Sequence, residues 1–62
     1  MKKKYYVVTF YNSKTVFSCA FNSSEAIILS QAVMIKNGLA YDVESMRETH
    51  YESDKQLTDF YA

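Results

Sequence analysis

The side chains most typical of catalytic and metal-binding sites lie near the carboxyl end, where His50 stands between Glu48 and Glu52. In a strand these three side chains share one face. Carboxylate and imidazole side chains on one face, as in a Glu-x-His-x-Glu trio, could bind a metal ion or transfer a proton. A surface histidine within an acidic stretch is the commoner origin of this spacing, and we expect no metal site here.

The remaining sequence offers few groups that an enzyme needs. The chain has one cysteine (Cys19), one histidine and one glycine (Gly38). These exclude an intrachain disulfide, a zinc site built from several Cys and His, and a glycine-rich phosphate loop. We expect Cys19 to be a small core residue. The sequence therefore predicts a non-enzymatic protein with no catalytic residue, cofactor or metal.

Regularly spaced carboxylates form the clearest charged pattern. Glu44, Glu48 and Glu52 are four residues apart, a spacing that aligns side chains on one face of a strand and also of a helix. If the segment is a strand, Asp42 joins this row. Such a row could occupy a basic cleft on a partner, although a solvated outer face produces the same pattern.

Positive charge is concentrated at the amino end, where Lys2, Lys3 and Lys4 precede Tyr5 and Tyr6. The formal net charge is zero, but residues 1–40 carry +4 and residues 41–62 carry −4. Lysines beside tyrosines combine affinity for phosphate with rings for base stacking. Nucleic-acid binding through Lys2–Lys4 and surface tyrosines is therefore the alternative function. Lysines that protect a sheet edge from aggregation give the same pattern.

The first 21 residues predict a β-hairpin. Residues 4–11 and 15–21 are rich in Tyr, Val, Thr and Phe, which favour strands. Asn12-Ser13 fits a two-residue turn, which pairs Val8 with Phe17. The more apolar set of side chains should then face the core; it comprises Tyr6, Val8, Phe10, Phe17, Cys19 and Phe21.

Residues 23–37 predict a single helix. Asn22 and Glu25 form a capping box, and Gly38 supplies a left-handed stop. At 100° per residue, one broad apolar face should pack on the sheet; it comprises Ala26, Ile28, Leu29, Ala32, Val33 and Ile35. Ile27 and Met34 fall on the other side, and we assign them to a homodimer interface.

The sequence does not decide between strand and helix for the carboxyl-terminal third. Residues 39–43 alternate as a third strand. Beyond them, strand-favouring Thr49 and Tyr51 compete with helical spacing, and a turn at 53–55 would lead to an edge strand over 56–61. We favour strands. The predicted fold is α+β, a single domain over residues 1–62 with a small ββαβ(β) sheet, antiparallel or mixed, and one helix on one face.

The amino end resembles the start of a secretory signal, because lysines are followed by an apolar run. That run alternates like a strand and ends at Asn12-Ser13-Lys14, where a lysine opposes translocation. No stretch approaches the ~18 apolar residues of a membrane span. We therefore expect a cytoplasmic protein with no membrane partner.

The apolar surface of the predicted hairpin exceeds what one helix can cover, and tyrosine and methionine are enriched at interfaces. We predict a protein-binding protein, forming a homodimer, with partner-binding residues Asp42, Glu44, Glu48, Glu52, Tyr5 and Tyr11. In length and in its richness in Lys, Tyr, Asn, Ile and Phe, the chain resembles small accessory proteins of phages and mobile elements. That resemblance implies an inhibitor or modulator of a host or defence enzyme, acting by occupying its surface or a basic cleft.

Overall fold

A computed structural model describes residues 2–50 and 52–62. In chain order the elements are β1 (Lys4–Phe10), β2 (Thr15–Ala20), α1 (Ser23–Lys36), β3 (Val43–Thr49), α2 (Ser53–Leu57) and β4 (Phe60–Tyr61). The strands form one mixed sheet in the order β3-β1-β2-β4. β1 is antiparallel to β2 and β3, whereas β4 runs parallel to β2. The predicted α+β class, with one main helix on a small sheet, is confirmed.

The hairpin turn is one residue longer than the predicted two-residue turn. Phe10 O accepts a hydrogen bond from Ser13 N at 3.0 Å, and Phe10 N donates to Lys14 O at 2.9 Å. Ser13 has a φ of 71°, so the connection is a three-residue loop that ends in a left-handed residue, a common hairpin geometry. The side chain of Asn12 supports the loop by accepting from Lys14 N at 2.9 Å.

The longer loop shifts β2 by one residue relative to β1. Val8 pairs with Val16 instead of Phe17, and a shift of one residue moves every side chain of a strand to the other face. The prediction for β1 is confirmed, but Phe17 and Cys19 lie on the face away from α1, and Phe21 is exposed. The core face of the hairpin comprises Tyr6, Val8, Phe10, Val16, Ser18 and Ala20.

The ends of α1 match the sequence signals closely. Asn22 accepts from Glu25 N at 2.9 Å, and Phe21 N donates back to Glu25 Oε1 at 3.4 Å. At the carboxyl end Gly38 has a φ of +69°, and Leu39 N donates to Met34 O at 2.9 Å. This pattern is the Schellman stop, and it brings Leu39 back onto the core beside Met34.

The face of α1 that packs on the sheet differs from the predicted face. Ala26, Ser30 and Met34 are buried, and Met34 joins Val8, Phe10 and Val16 in the core. Assigning Met34 to a dimer interface was therefore wrong, and Ile27 is half-buried at the side of the helix. Four residues predicted to be core are instead exposed: Ile28, Leu29, Ala32 and Ile35.

β3 spans Val43–Thr49, so it begins four residues later than the predicted start at Leu39 and includes Thr49, for which a strand was favoured. Side chains bind the carbonyls before it: Asn12 Nδ2 donates to Ala40 O at 3.0 Å, and Gln31 Nε2 to Tyr41 O at 3.2 Å. Residues 39–42 consequently lie outside the sheet.

A bulge at Glu44 adjusts the alternation of β3. Thr9 pairs with Ser45 and Phe10 with Val43, which leaves Glu44 as the extra residue. Val43 and Met46, three apart, both pack against the core as a result.

The end of the chain contains both of the structures that the sequence left open. Residues 53–57 form the short helix α2, and the fourth strand is limited to Phe60–Tyr61 at the sheet edge. The carboxylate of Asp54 reaches Arg47 and Thr49, whose pairing with Val7 and Tyr5 places them on the sheet face opposite α1. The chain therefore crosses that second face. Within the described residues, no helix is long and apolar enough to span a membrane.

Two buried hydroxyls between α1 and the sheet lead to a test of the packing. Ser18 and Ser30 are fully buried, and neither Oγ has a hydrogen-bond partner within residues 2–50 and 52–62. An unbonded buried hydroxyl is destabilising, so Ser30→Ala should raise the free energy of unfolding by about 1 kcal/mol. Urea unfolding measures the change, with exposed Ser24→Ala as the control for helix propensity. A loss of stability in Ser30→Ala would show that the hydroxyl is bonded in solution.

Candidate functional site

A groove of about 190 Å³ lies on the sheet face opposite α1. Its floor comes from the hairpin, where the rings of Tyr5 and Phe17 stack with centroids 5.4 Å apart and planes at 29°. Its remaining lining residues are Cys19, Glu52, Lys55, Tyr61 and Ala62. The groove therefore has an aromatic floor and carries one cation and one anion at its rim.

The strand register builds the aromatic floor. Tyr5 pairs with Cys19, which makes Phe17 its diagonal neighbour on the same face, within reach of an aromatic ring. Phe17 is 5% exposed and Tyr5 is 37% exposed. Phe17 is therefore the buried base of the groove, and Tyr5 is the ring that a bound molecule can contact.

β4 supplies the opposite wall. Tyr61 pairs with Phe17 in the parallel ladder, which Ala62 N extends by donating to Phe17 O at 2.9 Å. The ammonium of Lys55 lies 5.6 Å from the centroid of the Tyr61 ring, a distance at which a cation is attracted to the ring face. Lys55 is therefore held at the rim.

The position of α2 is fixed by Asp54. Its Oδ2 accepts a hydrogen bond from Thr49 Oγ1 at 2.7 Å and lies 3.2 Å from Arg47 Nη1. These hydrogen bonds, that from Thr49 first, hold the pKa of the Asp54 carboxyl below its usual value. An ionised Asp54 thus anchors to β3 the segment that carries Glu52 and Lys55.

The predicted partner-binding residues are only partly brought together. Tyr5 and Glu52 both line the groove. Tyr11 is 69% exposed in the hairpin turn, at the opposite end of β1.

The continuous acidic row is not formed. The bulge at Glu44 breaks its spacing, Asp42 precedes β3, and Glu52 lies at the start of α2. Glu48 instead forms an ion pair with Lys4 at 3.6 Å. Sequence reasoning missed the bulge because it arises from pairing with β1, which sits more than thirty residues away in the chain.

A basic cavity of about 310 Å³ lies at the amino end of β1. It is lined by Lys2, Lys3, Lys4, Tyr5, Thr49 and His50. The Lys3 ammonium lies 5.2 Å from the centroid of the Phe21 ring. Because Tyr5 lines both cavities, the basic cavity is adjacent to the aromatic groove.

The two residues first considered for catalysis lie in these cavities. His50 lines the basic cavity, and Cys19 is a half-buried free thiol in the groove rather than a core residue. Across the part of the chain that the structure describes, no group of three or more His, Cys, Asp or Glu side chains could hold a metal ion.

The lowered pKa of Asp54 predicts how stability depends on pH. Ionised Asp54 stabilises the fold above its ordinary pKa of 3.8, and this contribution is lost as the pH falls through and below that value. Asp54→Asn should therefore unfold at a lower temperature than the unmodified chain at pH 7. The difference should shrink in acid below pH 3.8.

Thermal unfolding followed by circular dichroism at several pH values measures this difference. Asp42→Asn, at an exposed carboxylate ahead of β3, is the matched control. A difference that stays constant down to the most acidic pH would show that Asp54 does not anchor α2 as a carboxylate.

Comparison with known protein families, with curated proteins and with solved structures found no match to this chain. Its function is therefore inferred from the aromatic groove, the basic cavity and the outer face of α1.

Proposed function

We propose that the chain is a small, non-enzymatic protein-binding protein whose aromatic groove holds a side chain of its partner. The observation that carries this proposal is the stacked Tyr5–Phe17 pair, open to solvent through Tyr5 and flanked by Tyr61. Tyrosines at the centre of an interface provide much of the binding energy. They do so at a low cost in conformational entropy, because the side chain has only two rotatable torsions.

The size and charge of the groove indicate what it holds. Pockets for drug-sized molecules and cofactors span roughly 300–1,000 Å³, whereas this groove is about 190 Å³. That volume suits one or two side chains of a protein. Lys55 and Glu52 at the rim can pair with charges beside an apolar or aromatic residue of the partner.

The mode of action that we propose is inhibition or modulation of an enzyme by occupying its surface, as in small accessory proteins of phages and mobile elements acting in the cytoplasm. The exposed carboxylates of Asp42 and Glu44 support contact with a basic surface, because they stand together where the chain enters β3. In this proposal the groove anchors one part of the partner, and these carboxylates contact a second part of it at the hairpin-turn end of the sheet.

We propose further that the protein acts as a homodimer. A chain of 62 residues buries only about 60% of the surface that its unfolded form exposes, and small domains without staples often gain stability by association. Large apolar side chains on the outer face of α1, among them Ile28 at 65% exposed and Ile35 at 58% exposed, support this proposal.

Substitutions in the groove test the main proposal. Tagged protein is used to capture partners from host lysate, which are quantified by mass spectrometry. Tyr5→Ala with Tyr61→Ala should reduce capture of a specific partner by about tenfold or more, the effect of removing an interface anchor. Tyr11→Ala with Tyr41→Ala, at exposed tyrosines outside the groove, should reduce capture much less. Equal recovery with both pairs of variants would contradict a role for the groove.

Nucleic-acid binding is the second candidate, and the basic cavity beside Tyr5 favours it. Lys2, Lys3 and Lys4 line that cavity, next to a partly exposed aromatic ring. Cationic side chains beside a stacking ring are the usual elements of a site for single-stranded nucleic acid.

Fluorescence anisotropy with labelled single-stranded DNA and RNA at low salt tests this second candidate. Lys2→Ala with Lys3→Ala, which leaves the Lys4–Glu48 pair intact, should weaken binding. Removing two phosphate contacts should also lower the slope of log affinity against log salt by roughly 2. Lys14→Ala with Lys36→Ala removes the same charge away from the cavity and is the control. No binding by the unmodified chain at low salt would dismiss nucleic-acid binding.

A further inference from the structure

The outer face of α1 is as apolar as the face that packs on the sheet. Ile28, Leu29 and Ile35 are 65%, 37% and 58% exposed, and Ala32 between them is exposed as well. A surface helix normally carries polar residues on the side away from the core. This face, which we name the α1 patch (Ile28, Leu29, Ala32 and Ile35), is therefore an exposed apolar surface.

The spacing of the α1 patch fits a second helix. Ile28, Ala32 and Ile35 follow the i, i+4, i+7 rule that forms one stripe along a helix. The small side chain at the centre of the stripe, Ala32, permits a close approach. Helices pack with their axes 8–10 Å apart, and a small central residue flanked by two larger ones allows this separation.

The charges of α1 select the orientation of that second helix. Glu25 and Lys36 are the charged residues among the fourteen residues of α1. They are eleven positions apart, about three turns or roughly 16 Å, so both lie on the same side of the α1 patch near its opposite ends. Negative charge at one end and positive charge at the other make the face complementary to a reversed copy of itself.

We propose that two copies of the chain associate through their α1 patches, with the helices antiparallel and a twofold axis close to Gln31. This inference rests on the proposed homodimer and specifies its surface and symmetry. The axis brings Glu25 of each chain beside the partner subunit's Lys36, and Ile28 towards the partner subunit's Ile35. The pairs Glu25/Lys36, Leu29/Ala32 and Ile28/Ile35 are all centred within a residue of Gln31, as a twofold interface requires.

A parallel arrangement fits these residues poorly. It would place Glu25 beside Glu25 and Lys36 beside Lys36, and like charges at close range oppose association. The antiparallel dimer instead forms two attractive pairs at the rim of an apolar contact. This is the usual distribution of charge and apolar surface in an interface.

The proposed dimer is modest in size and leaves the aromatic groove free. A standard interface buries about 800 Å² from each partner, about a fifth of the 4250 Å² accessible surface of this chain. One face of a fourteen-residue helix supplies less than this, so the proposed dimer belongs with the small, weak interfaces. Because α1 and the groove lie on opposite faces of the sheet, the dimer presents two grooves on its outside.

Charge reversal tests both the surface and the orientation. Glu25→Lys and Lys36→Glu, each alone, should self-associate about tenfold more weakly than the unmodified chain, since attraction becomes repulsion at both ends of the interface. Mixed in equal amounts, the two variants should form a heterodimer, because each end of the interface then joins a lysine of the first variant to a glutamate of the second. Sedimentation velocity over a range of concentrations measures each equilibrium.

Controls separate association from folding. Lys14→Glu mixed with Glu44→Lys, both exposed and outside α1, should show no preferential pairing. Ile28→Glu should abolish association, whereas Leu57→Glu, at a side chain that is 80% exposed, should leave it unchanged. Glu25 also accepts a hydrogen bond from Phe21 N, so circular dichroism of each variant checks that α1 still forms. If the Glu25→Lys variant is less stable, its association with the Lys36→Glu variant still tests the interface.

Each result decides the inference. Weakened single variants with a restored mixture support the antiparallel α1 dimer. If the chain is dimeric and remains so with either charge reversal and with Ile28→Glu, the α1 patch is not the interface, while the proposal of a homodimer stands. A chain that is monomeric at millimolar concentration overturns the dimer altogether and leaves the aromatic groove to its own test.

Discussion

The register between β1 and β2 determines what lies on each face of the sheet. It is fixed by the three-residue turn that ends at Ser13, whose φ of 71° is a conformation that most side chains disfavour. With a turn one residue shorter, Phe17 and Cys19 would face α1, and the stacked pair with Tyr5 would not exist. The hydrophobic core and the aromatic groove are therefore both consequences of one turn.

The packing of α1 follows from the same register. Ser18 and Ala20 face the helix and are small, so α1 approaches β2 through Ala26 and Ser30. The larger space near the hairpin turn is filled by Met34, which the stop at Gly38 and Leu39 holds against the core. With Ala26, Ser30 and Met34 turned towards the sheet, the α1 patch is directed outwards. The buried face of α1 and its exposed apolar stripe therefore arise from the same orientation of the helix.

Features set by neighbours in the chain were predictable from the sequence, and features set by distant pairing were not. The bounds of α1 follow from Asn22 and Gly38, which act within a few residues. The face of α1 could not be deduced, because the helix is apolar on nearly every side and periodicity selects none. Tyr5 and Glu52 were both predicted to contact a partner, on a tyrosine-rich surface and in an acidic row, and the sequence did not place them beside each other. Their meeting with Tyr61 depends on a two-residue parallel strand, which no local pattern encodes.

The net charge of zero is the sum of positive and negative groups that lie in different parts of the fold. Part of the opposite charge cancels within the chain, where β1 lies beside β3 and Lys4 meets Glu48. Arg47 pairs likewise with Asp54, and some of the remaining charges lie at opposite ends of the sheet. Lys2 and Lys3 line the basic cavity at one end, while Asp42 lies by the hairpin turn, where its carbonyl accepts from Tyr11 N.

Seven residues of β1 separate these ends by about 23 Å, well beyond the roughly 8 Å over which charges act at physiological salt. A partner at one end therefore experiences the charge of that end alone. Zero net charge consequently does not argue against a charged partner, and each end of the sheet can select a partner of opposite sign.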